Sequence, residues 1–242
     1  MVSVTVFGSY ISQPTRAVLW TCHLLKINVD FQKVDVGKGE NTTREYLDLN
    51  PMAQFPVLKD GDYVLWESHA IMRYLCNKYS DGTTLYPSSP QERGKVDQWL
   101  DWKHGFLRAG GAGITRRRVM SKLMKDISHH SMRYDLVEIP EEREARLLLK
   151  SLTILETQLG KTRFITNSQS PTLADLALVC EFEQLFMLAA DLEPPFGCDF
   201  SKYPLLSQWV SNMRLVDGHS TTHKDLSNAI KLVAKLRKQS KL

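Results

Sequence analysis

The pattern of hydrophobic and polar positions changes near residue 80. Before it, short stretches rich in β-branched residues alternate with amphipathic stretches, which predicts strands interleaved with helices. The predicted elements are strands over 2–7, 29–36, 57–59 and 63–65 and helices over 14–26, 43–49 and 67–79. Because a helix connects the first two strands, they should pair in parallel, and the turn at Asp60-Gly61-Asp62 should add an antiparallel hairpin. Residues 1–80 are therefore expected to form an α/β domain.

After a segment rich in Gly, Pro, Ser and Thr at 81–90, the hydrophobic period is helical. The predicted helices cover 91–125, 140–159, 173–192, 203–216 and 221–238. We expect the first to break near Gly110-Gly111 or Gly113, and Thr172 with Asp175 to form a capping box at the start of the third. The segment at 81–90 is interpreted as a linker, and residues 91–242 as an all-helical domain.

Composition and charge exclude several classes of function. The 242 residues are 43% hydrophobic and 24% charged, as in an ordinary globular protein, and the net charge of +4 is too weak to indicate nucleic-acid binding. The N-terminus lacks a basic segment followed by an apolar one, so no secretory signal is predicted. No apolar run approaches the ~18 residues that a membrane-spanning helix needs, so no membrane association is expected.

The cysteines and histidines show no spacing typical of a metal site. Four cysteines lie far apart, and none forms a Cys-x-x-Cys pair, so we expect free thiols in a reduced compartment. His219 and His223 are four residues apart, but the sequence indicates no third ligand. They are therefore expected to be surface residues, and no metal is expected.

The chain ends in Ser240-Lys241-Leu242, which is a peroxisomal address read by an import receptor. The alternative is a solvated lysine-rich tail that ends in this tripeptide by chance. Because the signal needs a specific tripeptide at one fixed position, we favour the address. The predicted location is the peroxisome, with the cytoplasm as a possible second location.

Ser12 is the first candidate for chemistry, because it precedes a helix that starts near Pro14. The start of a helix presents free amides and the positive end of its dipole. A hydroxyl that donates to a sulfur atom there would favour a thiolate over a thiol. No His/Asp pair is placed to take the serine proton, so a hydrolase triad is poorly supported. The alternative role for Ser12 is a plain helix N-cap.

Two other segments could hold the ends of a small, extended, anionic peptide. A cis bond at Phe55-Pro56 would make a tight turn that exposes the Phe55 backbone for pairing with such a peptide; the alternative is an edge-strand proline. Ser68 opens a helix and can offer its hydroxyl and amide to a carboxylate, and Glu67 can accept from an ammonium. The alternative for this pair is helix capping.

The chain resembles the glutathione transferases, and among them the theta class, especially its plant-type members. The resemblance covers nearly the whole chain. The motifs that carry it are Ser-Gln-Pro-x-Arg-Ala-Val at 12–18, Asn-Pro at 50–51, Pro56, Glu-Ser-His-Ala-Ile at 67–71, Leu-Asp-Trp-Lys-His at 100–104, Leu-Arg at 107–108 and Ala-Asp-Leu at 174–176. The resemblance implies the glutathione transferase fold: an α/β thioredoxin-like N-terminal domain plus an all-α C-terminal domain. It also implies a homodimer and glutathione as co-substrate, with no other cofactor.

The resemblance further implies roles for individual residues. Ser12 corresponds to the hydroxyl that activates the glutathione thiol, and the Phe55 backbone to the group that pairs with the cysteinyl unit. The other implied glutathione contacts are the γ-glutamyl anchors Glu67 and Ser68, the rim residue Gln13, and Asn41 and Gln54, which stand where the family often carries basic residues.

Arg108 corresponds to an arginine of the theta-class electrophile pocket. Gly111 and Thr115 fall on the same helical stripe, so we expect these small residues to leave room for a substrate. The guanidinium could stabilise an anionic leaving group or polarise a peroxide oxygen. The alternative is an arginine that faces solvent.

The predicted function is transfer of glutathione to small hydrophobic electrophiles and glutathione-dependent reduction of organic hydroperoxides. One alternative is a non-catalytic binding or scaffold protein with the same fold, since fold alone does not establish activity. A second is a disulfide or dehydroascorbate reductase, which needs a cysteine near the first helix start. Thr15 occupies that region instead, and Cys22 lies a turn or two too deep.

Overall fold

The computed structural model describes residues 3–80, 82–120, 140–188 and 200–239. Its strands are β1 (Ser3–Gly8), β2 (Asn28–Lys33), β3 (Val57–Asp60) and β4 (Tyr63–Trp66). Its helices are α1 (Gln13–Leu24), α2 (Arg44–Leu49), α3 (Ser68–Tyr79), α4 (Pro90–Lys103), α5 (Ala109–Thr115), α6 (Glu141–Leu159), α7 (Leu173–Gln184), α8 (Pro204–Met213), α9 (His219–Thr222) and α10 (Lys224–Lys238). The α/β and all-α composition predicted from the pattern is confirmed.

The four strands form one sheet in the order β2-β1-β3-β4. β1 pairs in parallel with β2, and β3 pairs antiparallel with both β1 and β4, as predicted. Alternate residues of β1 face opposite sides of the sheet. Val4 and Val6 are buried in the cluster that contains α1 and α3, whereas Phe7 packs with Tyr46 of α2 on the other side.

The glycines at 110–113 do not break the helix. They lie in α5, which continues from α4 through a wide, π-type turn at His104–Arg108. A Cβ on Gly110 would meet the Leu148 amide nitrogen at 2.5 Å and the Glu144 carbonyl oxygen at 2.8 Å, both in α6. Gly110 therefore allows α5 and α6 to approach closely, and the predicted break is wrong.

The capping box at Thr172 is confirmed. The Asp175 carboxylate accepts from the Thr172 amide at 3.0 Å and the Thr172 side chain is bonded at the third helical position, so both halves of the motif are present. Asp175 also accepts from the Ile165 amide and the Trp209 indole, each at 3.0 Å. α7 is buried on all sides and packs against α1, so it joins the two parts of the chain.

Three expectations for the second half need correction. α7 ends at Gln184 and is followed by a short 3₁₀ turn, Leu185–Met187, so the predicted helix does not continue past Gln184 as one α-helix. The predicted helical residues 121–125 and 189–192 lie outside the described residues. The last predicted helix is divided into α9 and α10. His219 and His223, expected at the surface, are 8% and 1% exposed because α9 folds back onto Trp20 of α1. None of the described helices is sufficiently long and apolar to span a membrane.

Candidate functional site

One row of paired residues brings the three predicted segments to the same edge of the sheet. Phe7 of β1 pairs with Val57 of β3, and Val57 pairs with Trp66 of β4. The turn that carries Ser12 follows β1, Phe55-Pro56 precedes β3, and Glu67 follows β4 directly. Because neighbouring strands lie about 4.8 Å apart, this register places the three segments side by side. The candidate site is therefore the edge of the sheet beyond this row.

Ser12 is half-buried and is the N-cap of α1. Its Oγ accepts a long hydrogen bond, 3.4 Å, from the Thr15 amide. Within the described ranges the Ser12 hydroxyl proton has no protein acceptor, so it remains available to donate to a ligand atom. Capping and donation use different parts of the hydroxyl, so the two roles considered for Ser12 are compatible.

Arg16 holds the turn that carries Ser12, a role that sequence reasoning missed although Arg16 lies in the quoted motif. The guanidinium is 0% exposed, and its Nη1 donates to the Ile11 carbonyl at 2.7 Å and the Tyr10 carbonyl at 3.3 Å. Nη2 donates to the Cys180 carbonyl at 2.8 Å. Arg16 therefore ties the turn at 10–12 to α7 and determines where the Ser12 hydroxyl sits.

The loop before β3 is held in place by side chains that bind its carbonyl groups. Tyr46 Oη and Asn50 Nδ2 donate to the Gln54 carbonyl at 2.9 and 2.7 Å. Asn41, which is buried, donates from Nδ2 to the Ala53 carbonyl at 3.0 Å. These bonds identify Asn41 as a residue that shapes the loop.

The Phe55-Pro56 peptide bond is cis, as considered from the sequence. The amide and carbonyl of Phe55 make no hydrogen bond to another described residue, so an extended peptide has a backbone partner there. Gln54 is half-buried beside this segment. The direct contacts of Asn41 and Gln54 with glutathione stay predictions.

Glu67 adopts a left-handed backbone conformation, with φ 73° and ψ 109°. Such a conformation costs a non-glycine residue free energy of order 1–3 kcal/mol, and strained residues of this kind cluster at binding sites. Ser68 follows as the first residue of α3 and is 4% exposed, while the Glu67 side chain is exposed and does not cap the helix. The capping alternative for Glu67 is therefore not supported.

A buried charge cluster joins this edge to the helical domain. Glu181 of α7 is 1% exposed, and its Oε1 accepts from Gln13 Nε2 at 3.2 Å. Its Oε2 lies 3.0 Å from Arg108 Nη1 and 3.3 Å from Lys103 Nζ. Burial acts to raise the pKa of Glu181, but the charges of Arg108 and Lys103 outweigh it and hold that pKa below its usual range. The cluster thus has one anion and two cations.

Arg108 is half-buried, with 24% of its side chain exposed, so it does not simply face solvent. Through Glu181 it is linked to Gln13, which is next to Ser12 in the chain. This arrangement links a cation to the sheet edge that carries Ser12. The Gln13 amide is engaged with Glu181, and the predicted position of Gln13 at the glutathione rim stays a prediction.

Gly111 and Thr115 do not share the surroundings of Arg108. Both are buried, a Cβ on Gly111 would meet Leu185 Cδ2 at 2.9 Å, and the Thr115 hydroxyl donates to the Gly111 carbonyl at 2.9 Å. α5 packs against α6 and the 3₁₀ turn at Leu185–Met187, so neighbouring elements fill the side of α5 that carries these two residues. The expectation that these two residues leave room in the pocket is therefore corrected.

His69, which follows Ser68, is buried beside the site. The sequence analysis did not single it out, although it lies in the motif at 67–71. It is 3% exposed, and neither ring nitrogen has a hydrogen-bond partner among the described residues. Its ring centroid lies 4.3 Å from that of His104. Burial, followed by the charge of Lys103, lowers the pKa of His69, so the imidazole is neutral.

The described cysteines do not support a thiol–disulfide reductase. Cys22, Cys76 and Cys180 are free and buried, and burial raises the pKa of each to about 12. A catalytic cysteine needs a lowered pKa and access to solvent. Cys198 lies outside the described residues.

Comparison with known proteins gives the same two-part division. The family model "Glutathione S-transferase, N-terminal domain" matches residues 2–77, and "Glutathione S-transferase, C-terminal domain" matches residues 120–214. The chain is 32% identical over 217 residues to Glutathione S-transferase T1 of Arabidopsis thaliana, covering 88% of this chain and 84% of that protein. It spans only 34% of the length of Arabidopsis Glutathione S-transferases T2 and T3.

Similar proteins outside plants include one from human and one of known structure. Glutathione S-transferase theta-2B of Homo sapiens is 32% identical over 208 residues, covering 84% of this chain and 78% of that protein. A glutathione transferase homolog from Drosophila mojavensis, solved with bound glutathione, is 27% identical with a TM-score of 0.75, covering 96% of this chain and 97% of that chain.

Proposed function

Because the chain belongs to the theta class of the glutathione S-transferase family, we propose that the sheet edge described above binds its co-substrate, glutathione, with the sulfur at Ser12. The protein conjugates glutathione to electrophiles. The observation that carries the assignment of the site is the row Phe7–Val57–Trp66, which aligns the Ser12 turn, Phe55 and Ser68 along one edge. The free Phe55 backbone suits the cysteinyl unit, and Ser68 at the start of α3 suits the γ-glutamyl carboxylate.

Ser12 acts in this proposal by favouring the thiolate. Its hydroxyl donates to the glutathione sulfur, and the start of α1 adds the positive end of a helix dipole. An unperturbed thiol has a pKa near ~8.5, and each unit of lowering corresponds to about 1.36 kcal/mol. The thiolate then attacks the electrophilic carbon, the bond to the leaving group breaks, and the leaving group departs with the electron pair. The net positive cluster around Arg108 stabilises that charge.

We propose organic hydroperoxides as a second substrate class of the same site. The thiolate attacks the terminal peroxide oxygen, the O–O bond breaks, and the alkoxide takes a proton to leave as an alcohol. The glutathione sulfenic acid so formed reacts with a second glutathione to give glutathione disulfide and water. Arg108 supports this proposal because its guanidinium keeps 24% of the side chain exposed and is linked through Glu181 to Gln13, next to Ser12, where a cation could polarise a peroxide oxygen.

The test of the proposed site is calorimetric titration with glutathione, followed by turnover assays with an aryl halide and an organic hydroperoxide. We expect 1:1 binding per chain and glutathione-dependent turnover of both substrates. Binding without turnover of either substrate would instead support the non-catalytic alternative. Turnover of the aryl halide alone would remove the peroxidase proposal and leave conjugation.

Replacing Ser68 or Glu67 by alanine should raise the KM for glutathione and leave kcat nearly unchanged. Both residues face a part of the peptide remote from the sulfur, so they stabilise the ground and transition states equally. The measurement is steady-state kinetics with glutathione as the varied substrate. Ser89→Ala is the matched control, since Ser89 also opens a helix, α4, but lies at its exposed start. A fall in kcat at constant KM would contradict the anchoring role.

We propose that the protein is a homodimer with α3 and α4 at its interface. The support is the family resemblance together with large exposed apolar side chains that flank these helices. Tyr63 at 47% and Trp66 at 38% lie in β4, just before α3, and Phe106 at 37% lies in the wide turn after α4. A C₂ pair is the usual symmetry of such an assembly. Light scattering at micromolar protein should give twice the 27.7 kDa chain mass. A mass equal to one chain would rule the dimer out.

We propose that Ser240-Lys241-Leu242 directs the protein to peroxisomes through the import receptor. The support comes from the sequence alone, since these residues lie outside the described part of the chain. An N-terminal fluorescent fusion, which leaves the C-terminus open, should co-localise with other Ser-Lys-Leu cargo. Deleting Leu242 should return the fusion to the cytosol without changing activity in vitro. Diffuse signal from the intact tail would contradict the address.

A further inference from the structure

Four side chains that bind metals in other proteins converge behind α1, on the side of α7 opposite the Glu181 cluster. Glu183 Oε2 lies 2.9 Å from His219 Nε2 and 3.3 Å from His223 Nε2. Cys180 Sγ lies 3.4 Å from the same His223 nitrogen. The four residues are between 0% and 8% exposed. The two histidines come from α9 and its C-cap, and the other two residues come from α7.

These separations suit a shared metal ion. Ligand atoms bound tetrahedrally to zinc at about 2.0–2.3 Å lie roughly 3.3–3.6 Å from one another. The ligand atoms of Glu183, His219 and His223 all lie within 4.8 Å of each other, so a small adjustment of these three side chains is enough. Cys180 Sγ is close to His223 Nε2 but lies outside this group of three, so the thiol has to turn toward the ion to complete the site. Two histidines, a carboxylate and a thiol are also the ligand types that zinc prefers.

The surroundings of His223 prepare its Nε2 atom for coordination. Nδ1 lies 3.1 Å from the His219 carbonyl oxygen, and a proton on Nδ1 that donates to this oxygen leaves Nε2 with its lone pair. The His223 ring is 1% exposed and stacks on the His219 ring with 4.1 Å between centroids, so packing holds its orientation. A neutral imidazole with an orienting partner on its other nitrogen is the usual form of a metal-binding histidine.

Glu183 is oriented in the same way. Its Oε1 accepts from Arg214 Nε at 2.7 Å, which leaves Oε2 directed at the two histidines. Arg214 therefore holds the carboxylate in place from its far side, as an outer-shell partner of a metal ligand does.

We propose that Glu183, His219, His223 and Cys180 form a buried structural site for Zn²⁺. Four protein ligands leave no open position, which is typical of structural rather than catalytic zinc. The ion would clamp α9 to α7 against Trp20, whose ring packs edge-on to both histidines at 5.3 and 5.4 Å. Binding displaces the thiol proton of Cys180 to solvent, and His219 coordinates in the tautomer that carries its proton on Nδ1. The competing arrangement is a metal-free network in which Arg214, Glu183 and His219 satisfy one another.

The test uses the untagged full-length chain. Metal analysis after purification without chelator should find about one zinc per chain. Cobalt added to chelator-treated protein should give the visible bands of a tetrahedral site and a sulfur-to-cobalt charge-transfer band. Added zinc should raise Tm by roughly 5 °C or more, the shift for a ligand at a hundred times its Kd. Cobalt binding without the charge-transfer band would overturn the assignment of Cys180.

Variants separate this site from adventitious binding. His219→Gln and Glu183→Gln should weaken zinc binding by at least about 10-fold and abolish the zinc-dependent rise in Tm. The matched control is His23→Gln, because His23 also pairs with a carboxylate, Asp217, at 3.0 Å, but at the exposed surface and outside the ligand group found among the described residues. If His219→Gln does not fold, Glu183→Gln and the chelator experiment on the unaltered chain decide. Absence of zinc uptake by the unaltered chain, or equal uptake by all variants, would overturn the proposal in favour of the metal-free network.

Discussion

Replacing Ser12 by alanine should lower glutathione-dependent turnover by about 10- to 1000-fold and leave the fold intact. One lost charge-assisted hydrogen bond to a thiolate corresponds to ~1.5–3 kcal/mol, and a preorganised donor contributes somewhat more. The Ser12 proton has no acceptor in the described structure, so the donor is free for the sulfur. The measurement is kcat/KM together with the ultraviolet absorbance of bound thiolate as a function of pH.

The same variant also tests the capping role of Ser12. Loss of an N-cap typically costs about 1 kcal/mol, which lowers Tm by roughly 2–4 °C in a chain of this size. Ser9→Ala is the control, since Ser9 Oγ lies in the same turn and accepts from the Ile11 amide at 3.4 Å. A Ser12→Ala protein with reduced Tm but unchanged turnover and thiolate titration would show that Ser12 is only a cap.

Replacing Arg16 by alanine should destabilise the protein by about 3–5 kcal/mol. The substitution removes a fully buried guanidinium and leaves the carbonyl oxygens of Tyr10, Ile11 and Cys180 without their donor. Each buried acceptor that loses its partner costs about 1–3 kcal/mol. At 2–4 °C per kcal/mol for a chain of about 150–250 residues, Tm should fall by roughly 6–20 °C.

Calorimetric unfolding of Arg16→Ala, Arg16→Lys and Arg44→Ala tests this prediction. Arg16→Lys should be intermediate, since one ammonium keeps the charge but cannot bridge the turn at 10–12 and α7 together. Arg44 is exposed and pairs only with Asp48 on the same helix, so its loss should change the free energy of unfolding by less than about 0.5 kcal/mol. Equal Tm values for Arg16→Ala and Arg44→Ala would mean that Arg16 does not hold the Ser12 turn.

Local signals made much of the fold predictable. The strand order along the chain, the parallel crossover and the hairpin at Gly61 follow from periodicity and turn residues, and the Thr172–Asp175 capping box follows from a four-residue pattern. The prediction of a break at the glycines of 110–113 was wrong because Gly110 makes a close contact with the backbone of α6. The sequence alone does not show whether a glycine ends its helix or allows a second helix to approach closely.

The sequence by itself determined the family and the segments that carry Ser12, Phe55 and Ser68, because each depends on residues that are neighbours in the chain. Only the tertiary structure decided which partners these segments meet. Glu181 lies 168 residues from Gln13 and 73 from Arg108, and Arg16 meets Cys180 across 164 residues. Likewise, packing of α5 against α6 and Leu185 buried Gly111 and Thr115, and the fold of α9 onto Trp20 buried His219 and His223 beside Glu183. Periodicity indicates which face of a helix is buried, whereas the atoms that face it are set by packing between distant elements.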